Sequence, residues 1–221
     1  MGRLEGVAAM TADKFQVAMR ELPLIAILRG LKPTEAEAIG DVLVEAGFRL
    51  IEVPLNSPQP FDSIALLRKR LPQAVVGAGT VLTAADVRAV AAAGGELIVA
   101  PNFDRDVVVE TVRLGMASVP GILTPTEAFA ALAAGANGLK LFPAEMASPA
   151  VVKAMLAVLP KGTPVIPVGG IAADNLAGWH AAGAGGFGLG SSLYKPGDDA
   201  KTVRKKAANI ASTFRMIDRS K

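Results

Sequence analysis

Along the chain, short apolar runs ending in glycine or proline alternate with longer alanine-rich stretches in which apolar residues recur at helical spacing. Continuous apolar runs of this length suit strands buried on both faces, and the stretches between them suit helices covering those faces. Eight strand candidates begin near Leu24 (LIAIL), Leu50 (LIEVP), Val75 (VVGAG), Leu97 (LIVAP), Met116 (MASVP), Gly138 (GLKLF), Pro164 (PVIPV) and Gly186 (GFGLG). Their spacing leaves room for one helix and two tight loops per strand.

The helices are punctuated in the same regular way. Pro33-Thr34-Glu35, Thr83-Ala84-Ala85-Asp86, Thr124-Pro125-Thr126-Glu127 and Ser148-Pro149 carry N-terminal signals, because a hydroxyl caps free N-H groups and proline is preset for the first turn. Ala46-Gly47, Ala134-Gly135 and Ala182-Gly183 carry stop signals. Thr11 to Leu22 predicts a further helix before the first strand, lying across the bottom of the sheet. The expected architecture is an α/β, (β/α)8 TIM barrel with an additional N-terminal helix: a single domain over residues 11–221, with 1–10 set apart as an N-terminal extension. An open doubly wound sheet is the alternative, but the dinucleotide fingerprint is missing after the first strand, where Leu28-Arg29-Gly30-Leu31 stands.

A barrel of this kind places its active site at the carboxyl ends of the strands, so polar residues late in apolar strands carry the most information. Lys140 lies inside Gly138-Leu139-Lys140-Leu141-Phe142-Pro143. Burying its ammonium costs several kcal/mol unless it is paired or loses its proton. Strand alternation groups Lys140 with Gly138 and Phe142 on the inward face, and Glu52 with Leu50 and Pro54. One reading of this inward amine and carboxylate is a buried structural ion pair. The other makes Lys140 a nucleophile that condenses with a ketone, and Glu52 the group that moves protons.

Arg29, after the first strand, is a candidate clamp for an acid group or simply a solvated strand end. Thr80, after Gly77-Ala78-Gly79, either binds a substrate carboxylate or hydroxyl or merely enters a helix. Glycine clusters follow the last two strands, Val168-Gly169-Gly170 and Gly188-Leu189-Gly190-Ser191-Ser192. Glycines can merely end strands, but in barrels these two loops commonly form a phosphate site.

Composition narrows the chemistry. At 221 residues and 51% hydrophobic, the chain can bury one large core. The lack of cysteine rules out disulfides, thiolate metal sites and a cysteine nucleophile. A single histidine and no clustered carboxylates predict no metal site, and no cofactor is expected. That histidine, His180, follows Trp179 on an outer helix and reads as surface or packing. The net charge is only +3, and the basic residues from Lys201 to Lys221 alternate with apolar ones as on the wet face of a C-terminal helix. One Trp and one Tyr offer no stacking platform, so no nucleic-acid partner is expected. No apolar stretch approaches the roughly 20 residues of a membrane span. No membrane partner is expected, and the expected compartment is the cytoplasm.

Taken together, these segments resemble the Schiff-base aldolases that cleave 2-keto-3-deoxy-6-phospho sugar acids. The likeness is carried by Leu24-Ile25-Ala26-Ile27-Leu28-Arg29-Gly30, Glu52-Val53-Pro54-Leu55-Asn56-Ser57-Pro58, Gly77-Ala78-Gly79-Thr80-Val81-Leu82, Pro101-Asn102, Pro120-Gly121, Leu139-Lys140-Leu141-Phe142-Pro143, Val168-Gly169-Gly170 and Gly188-Leu189-Gly190-Ser191. The resemblance implies a metal-free homotrimer of barrels acting on a phosphorylated keto acid. It implies that Lys140 forms the Schiff base and Glu52 transfers protons. Arg29 and Thr80 would hold the keto-acid end, with Asn56, Pro101 and Phe142 completing the substrate contacts, and Gly169, Gly170, Gly190 and Ser191 would hold the phosphate. Gluconate-type members usually carry an arginine where Asn56 stands, which shifts carboxylate binding onto Arg29. The run Pro54-Leu55-Asn56-Ser57-Pro58 is similar to galactonate-type members, whereas Pro120 to Glu127 is closer to the gluconate type. Two readings from other classes are a phosphate-binding barrel isomerase or synthase and a catalytically silent binder of a phosphorylated ligand.

Overall fold

The computed structural model describes residues 14–219. The proposed extension at 1–10 lies outside the described residues, as do the first residues of the predicted N-terminal helix, which is seen as α1 over 14–21. The chain then runs β1 (Leu24–Ile27), α2 (Pro33–Ala46), β2 (Leu50–Pro54), α3 (Pro60–Arg70), β3 (Val75–Gly79), α4 (Ala84–Ala92), β4 (Leu97–Val99) and α5 (Arg105–Arg113). It continues through β5 (Ala117–Val119), β6 (Gly121–Ile122), α6 (Pro125–Ala133), β7 (Leu139–Leu141), α7 (Pro149–Leu156), β8 (Val165–Pro167), α8 (Leu176–Ala181), β9 (Phe187–Leu189) and α9 (Ala200–Asp218).

All strand pairs are parallel, in a six-stranded order β5-β4-β3-β2-β1-β9 and a three-stranded order β6-β7-β8. The architecture is an α/β fold with a curled parallel sheet. Two details differ from the expected eight uniform strands. The fifth run ends as expected at Pro120, a residue with no N-H to give to a ladder, but a further short strand, β6, follows it, so the predicted sixth strand becomes β7. The two strand sets then meet near β8 and β9 through the isolated bridge between Val168 and Gly188 and through the Gly185 N-H, which donates to the Val165 carbonyl at 2.8 Å.

The two threonine signals act as caps, whereas Ser148 sits at the N-cap of α7 without a side-chain cap bond and α2 starts behind Lys32 with Pro33 in its first turn. Thr83 and Thr124 cap α4 and α6 by accepting from the backbone N-H groups of Asp86 and Glu127. Gly47 takes a left-handed φ of 105° behind α2, a conformation that a side chain would strain. On α9, Val203, Ala207, Ile210, Ala211 and Phe214 are buried, while Arg204 reaches out to Glu45 at 2.8 Å. The basic tail is therefore the wet face of a packed helix. His180 is buried on α8 with its ring edge-on to Phe214 at 5.4 Å, a packing role. No described helix is long and apolar enough to cross a membrane.

Two apolar clusters separate the faces of the sheet. Ile51, Val53, Leu139 and Leu141 pack outward with the helices. Ile25, Ile27, Leu50, Leu97, Val99, Ala117, Val119, Ile166 and Val168 pack inward, with Phe142 against them. Phe15, Ala18 and Met19 of α1 join this inner cluster. Because a Cβ on Gly186, just before β9, would come within 2.9 Å of Met19 Cε, α1 covers the N-terminal ends of the strands. The inner space is thereby stoppered at one end and left for chemistry at the other.

Candidate active site

Glu52 is the third residue of β2 and shares the inward face with Leu50, while its neighbours Ile51 and Val53 join the helix layer. Lys140 is the middle residue of β7, flanked by outward Leu139 and Leu141. Their exposures, 2% and 5%, place both ionisable groups in the interior.

Three features fix the carboxylate of Glu52. Pro54 pairs in register with Gly79 of β3, so the Glu52 side chain leans along its strand toward that glycine. A methyl group built on Gly79 would overlap the carboxylate, so only glycine leaves the space it occupies. Oxygen Oε2 is buried without a hydrogen-bond partner. An orphaned buried oxygen costs free energy unless a ligand or proton engages it. Burial pushes the Glu52 carboxyl up to about 7 against the opposing pull of Lys140 and Arg29. Replacing Gly79 with alanine should cut turnover by roughly 100-fold through displacement of this carboxylate, with a cooperative melt retained. Steady-state kinetics beside thermal melts of the variant check this; wild-type kcat would show that the carboxylate's position is not critical.

The amine of Lys140 is shifted in the opposite sense. Burial lowers its pKa, Glu52 pulls it back up, and the positive charge of Arg29 lowers it further. The amine and carboxylate sense one another, yet form no ion pair within 4.0 Å. A structural salt bridge between them is therefore absent. The ring of Phe142 lies with its centroid 4.5 Å from Nζ, where a cation on that nitrogen is stabilised by the aromatic face.

Arg29 follows β1 and donates from Nη1 to Asn56 Oδ1 at 2.8 Å. The same two loops are tied by Gly30 N-H donating to Ser57 Oγ at 2.9 Å. Thr80 lies one residue beyond β3 rather than closing it, with φ at 55°. A β-branched residue in the left-handed region is strained, and such strain concentrates where the backbone serves a site. Pro101 follows β4, and its carbonyl lies so close to Gly121 that a side chain there would overlap it.

The two glycine loops differ in charge. Glu145, in the 3-10 turn Ala144–Met146 after β7, holds its carboxylate over Gly169 and Gly170, where a Cβ on Gly169 would overlap it. Gly190 and Ser191, after β9, instead line a cavity of about 290 Å³ with Arg29 and Lys195. Glu145, Ser57 and Lys195, which the sequence does not single out, lie beside these candidate residues. Ser57 belongs to the run Glu52 to Pro58, whereas the local pattern around the other two carries no signal. A larger hollow of about 420 Å³ among Lys14, Ala18, Arg49 and Val75 lies at the N-terminal ends of the strands, away from this chemistry. No group of three or more metal-ligating side chains occurs among the described residues.

An interior amine held below its usual pKa, facing a carboxyl raised toward neutrality inside a curled parallel α/β sheet, is the equipment of a Schiff-base aldolase. The family described as KDPG and KHG aldolase matches residues 15–208, and the chain belongs to it. The chain is 50% identical over 206 residues to a probable 2-dehydro-3-deoxy-6-phosphogalactonate aldolase of Rhizobium meliloti (strain 1021), covering 93% of this chain and 97% of that one. It is 46% identical over 196 residues to the 2-dehydro-3-deoxy-6-phosphogalactonate aldolase of Escherichia coli (strain K12), covering 88% and 96%. A solved structure described as native KDPGal superposes with a TM-score of 0.89 at 44% identity, over 90% of this chain and 97% of that one.

Proposed function

We propose that this aldolase cleaves 2-dehydro-3-deoxy-6-phosphogalactonate to pyruvate and D-glyceraldehyde 3-phosphate through a Schiff base on Lys140. The observation that carries the reading is the amine of Lys140, 5% exposed, depressed in pKa and unpaired within 4.0 Å of the carboxylate it senses. The relatives in R. meliloti and E. coli support the choice of substrate, as does Asn56 in its Pro-Leu-Asn-Ser-Pro run.

In this mechanism, neutral Lys140 adds to the C2 ketone, and the resulting carbinolamine loses water with Glu52 supplying the proton that leaves on oxygen. The product is a protonated imine whose cation Phe142 can stabilise. The Glu52 carboxylate left by that step takes the C4 hydroxyl proton, the C3-C4 electron pair moves into the iminium, and the aldehyde leaves behind an enamine. Glu52 returns a proton to C3, and water hydrolyses the imine to pyruvate and free amine. Arg29, with Asn56 bracing it, binds the substrate carboxylate beside Thr80 and Pro101, and the loops after β8 and β9 take the phosphate.

The same reading includes closure of the sheet as a (β/α)8 barrel. The bridge at Val168 and Gly188 supports it, as does the continuity of β5 and β6 through Pro120. It also includes the homotrimer that the family resemblance implies.

Pyruvate with borohydride should add irreversible mass at Lys140, and cleavage of the galactonate-derived epimer should exceed that of its C4 epimer by about tenfold or more. Preference for the gluconate-derived substrate would overturn the assignment of stereochemistry. Phosphate-ester binding with no pyruvate release or trapping would instead favour the isomerase or silent-binder reading.

A further inference from the structure

The geometry points to Lys195 as the cation that grips the substrate's phosphate, in the cavity between the turn after β1 and the loop after β9. This rests on the aldolase reading above and adds to it a side-chain contact where the sequence offered only glycine amides and a serine hydroxyl.

The cavity, about 290 Å³, is lined by Arg29, Gly190, Ser191, Tyr194, Lys195 and Pro196, together with Ile27. Ile27 pairs in register with Glu52 and packs in the inner cluster, so the cavity adjoins the layer that holds the catalytic carboxyl. It is lined by two cations and no carboxylate. The opposite glycine loop carries the reverse charge, because the Glu145 carboxylate covers Gly169 and Gly170. A dianion held between the two loops therefore finds its positive charge on the Ser191 side, while the Gly169 side offers backbone amides alone.

Lys195 is held in place by its loop. Tyr194 donates its hydroxyl proton to Glu35 Oε2 at 3.2 Å, tying the loop to α2. The Lys195 N-H donates to Asp198 Oδ2 at 2.9 Å, and that same oxygen is ion-paired with Lys206 at 2.6 Å. Pro196 packs against Gly30, where a Cβ would come within 2.6 Å of Pro196 Cγ, and this contact holds the Arg29 turn beside the Lys195 loop. The backbone is thus pinned at both ends while the Lys195 ammonium forms no ion pair within 4.0 Å. A charged donor on a braced loop, within electrostatic reach of Asp198 but not ion-paired with it, and lining a cavity beside Ser191, is what binding of a phosphate monoester requires.

Three variants test the assignment. Lys195→Met should raise KM for the phosphorylated substrate roughly 10- to 100-fold, the loss expected for one charge-assisted hydrogen bond. Lys195→Arg should stay within about threefold of wild type, since a guanidinium can bind the same oxygens. Lys205→Gln, on the exposed face of α9, removes the same charge elsewhere and should change nothing. Pyruvate carries no phosphate, so borohydride trapping at Lys140 should proceed equally in all three. An unchanged KM in Lys195→Met, or an equal loss in Lys205→Gln, would overturn the proposal. Titration of inorganic phosphate followed by 31P NMR decides the point separately: weaker binding to Lys195→Met than to wild type supports it and equal binding overturns it, even if trapping fails and the aldolase reading falls.

Discussion

Replacing Lys140 with methionine should abolish aldol cleavage, by roughly 10⁴-fold or more, and eliminate borohydride trapping of pyruvate, while the protein still folds and melts at or above the wild-type temperature. The size of the loss follows from covalent catalysis: without the amine no iminium forms, and no other described group can accept the C3-C4 electron pair. The gain or constancy in stability follows from burial. At 5% exposure the amine carries a desolvation cost, and burial is the largest influence on its pKa. An apolar chain of similar length fills the same space without that cost. Pyruvate release, mass spectrometry after reduction and thermal melts check the three parts. Cleavage within tenfold of wild type would remove Lys140 from the mechanism, whereas a collapse in melting temperature would mean the amine supports the fold.

Glu52→Gln should lower kcat by roughly 10²- to 10⁴-fold, because the amide keeps the shape of the side chain and loses the exchangeable proton. The pH dependence separates this role from a structural one. With the carboxyl pushed up to about 7 from its usual 4.5, the wild-type rate of Schiff-base formation should show a limb near pH 7, absent in the variant. Stability should move in the opposite direction to activity. A raised carboxyl pKa means the folded state holds its proton more tightly than the unfolded chain, so folding is favoured at low pH and weakened as pH rises from 4.5 through 7. Above pH 7 the wild type carries an ionised buried carboxylate at a cost of roughly 3 kcal/mol. The variant should therefore melt higher there, with the difference fading below pH 7 and gone below 4.5. A variant that melts lower at pH 8 would show that the ionised carboxylate supports the fold.

Much of this site could be read from strand parity. Glu52 with Leu50, and Lys140 with Phe142, face inward as two-residue alternation demands, because the pleat leaves no other choice once the apolar neighbours are assigned to the helix layer. What parity could not supply was the space around each group. Gly79 was legible only as the end of a glycine run, and its significance appears when β3 pairs with β2 and brings its missing Cβ against the Glu52 carboxylate. Glu145 and Lys195 lie in loops whose local sequence carries no periodic signal. Their placement depends on contacts far along the chain, with Gly169 and Gly170 for one and with Gly30 and Glu35 for the other. The stop at Pro120 was written in the residue itself, whereas β6 beyond it, only Gly121–Ile122, is too short to carry a strand pattern of its own.

The sequence by itself determined the alternation of strands and helices, the inward direction of the amine and carboxylate, and the likeness to Schiff-base aldolases, since all three follow from local periodicity and short motifs. Only the tertiary structure decided that Lys140 and Glu52 share one interior without pairing, that Thr80 adopts a left-handed backbone, and that cations gather beside Ser191 while a carboxylate covers Gly169. The division has one physical cause. Which face a residue presents is set by its immediate neighbours along the chain, whereas its protonation, its hydrogen-bond partners and the space left for a ligand are set by groups that folding brings from elsewhere.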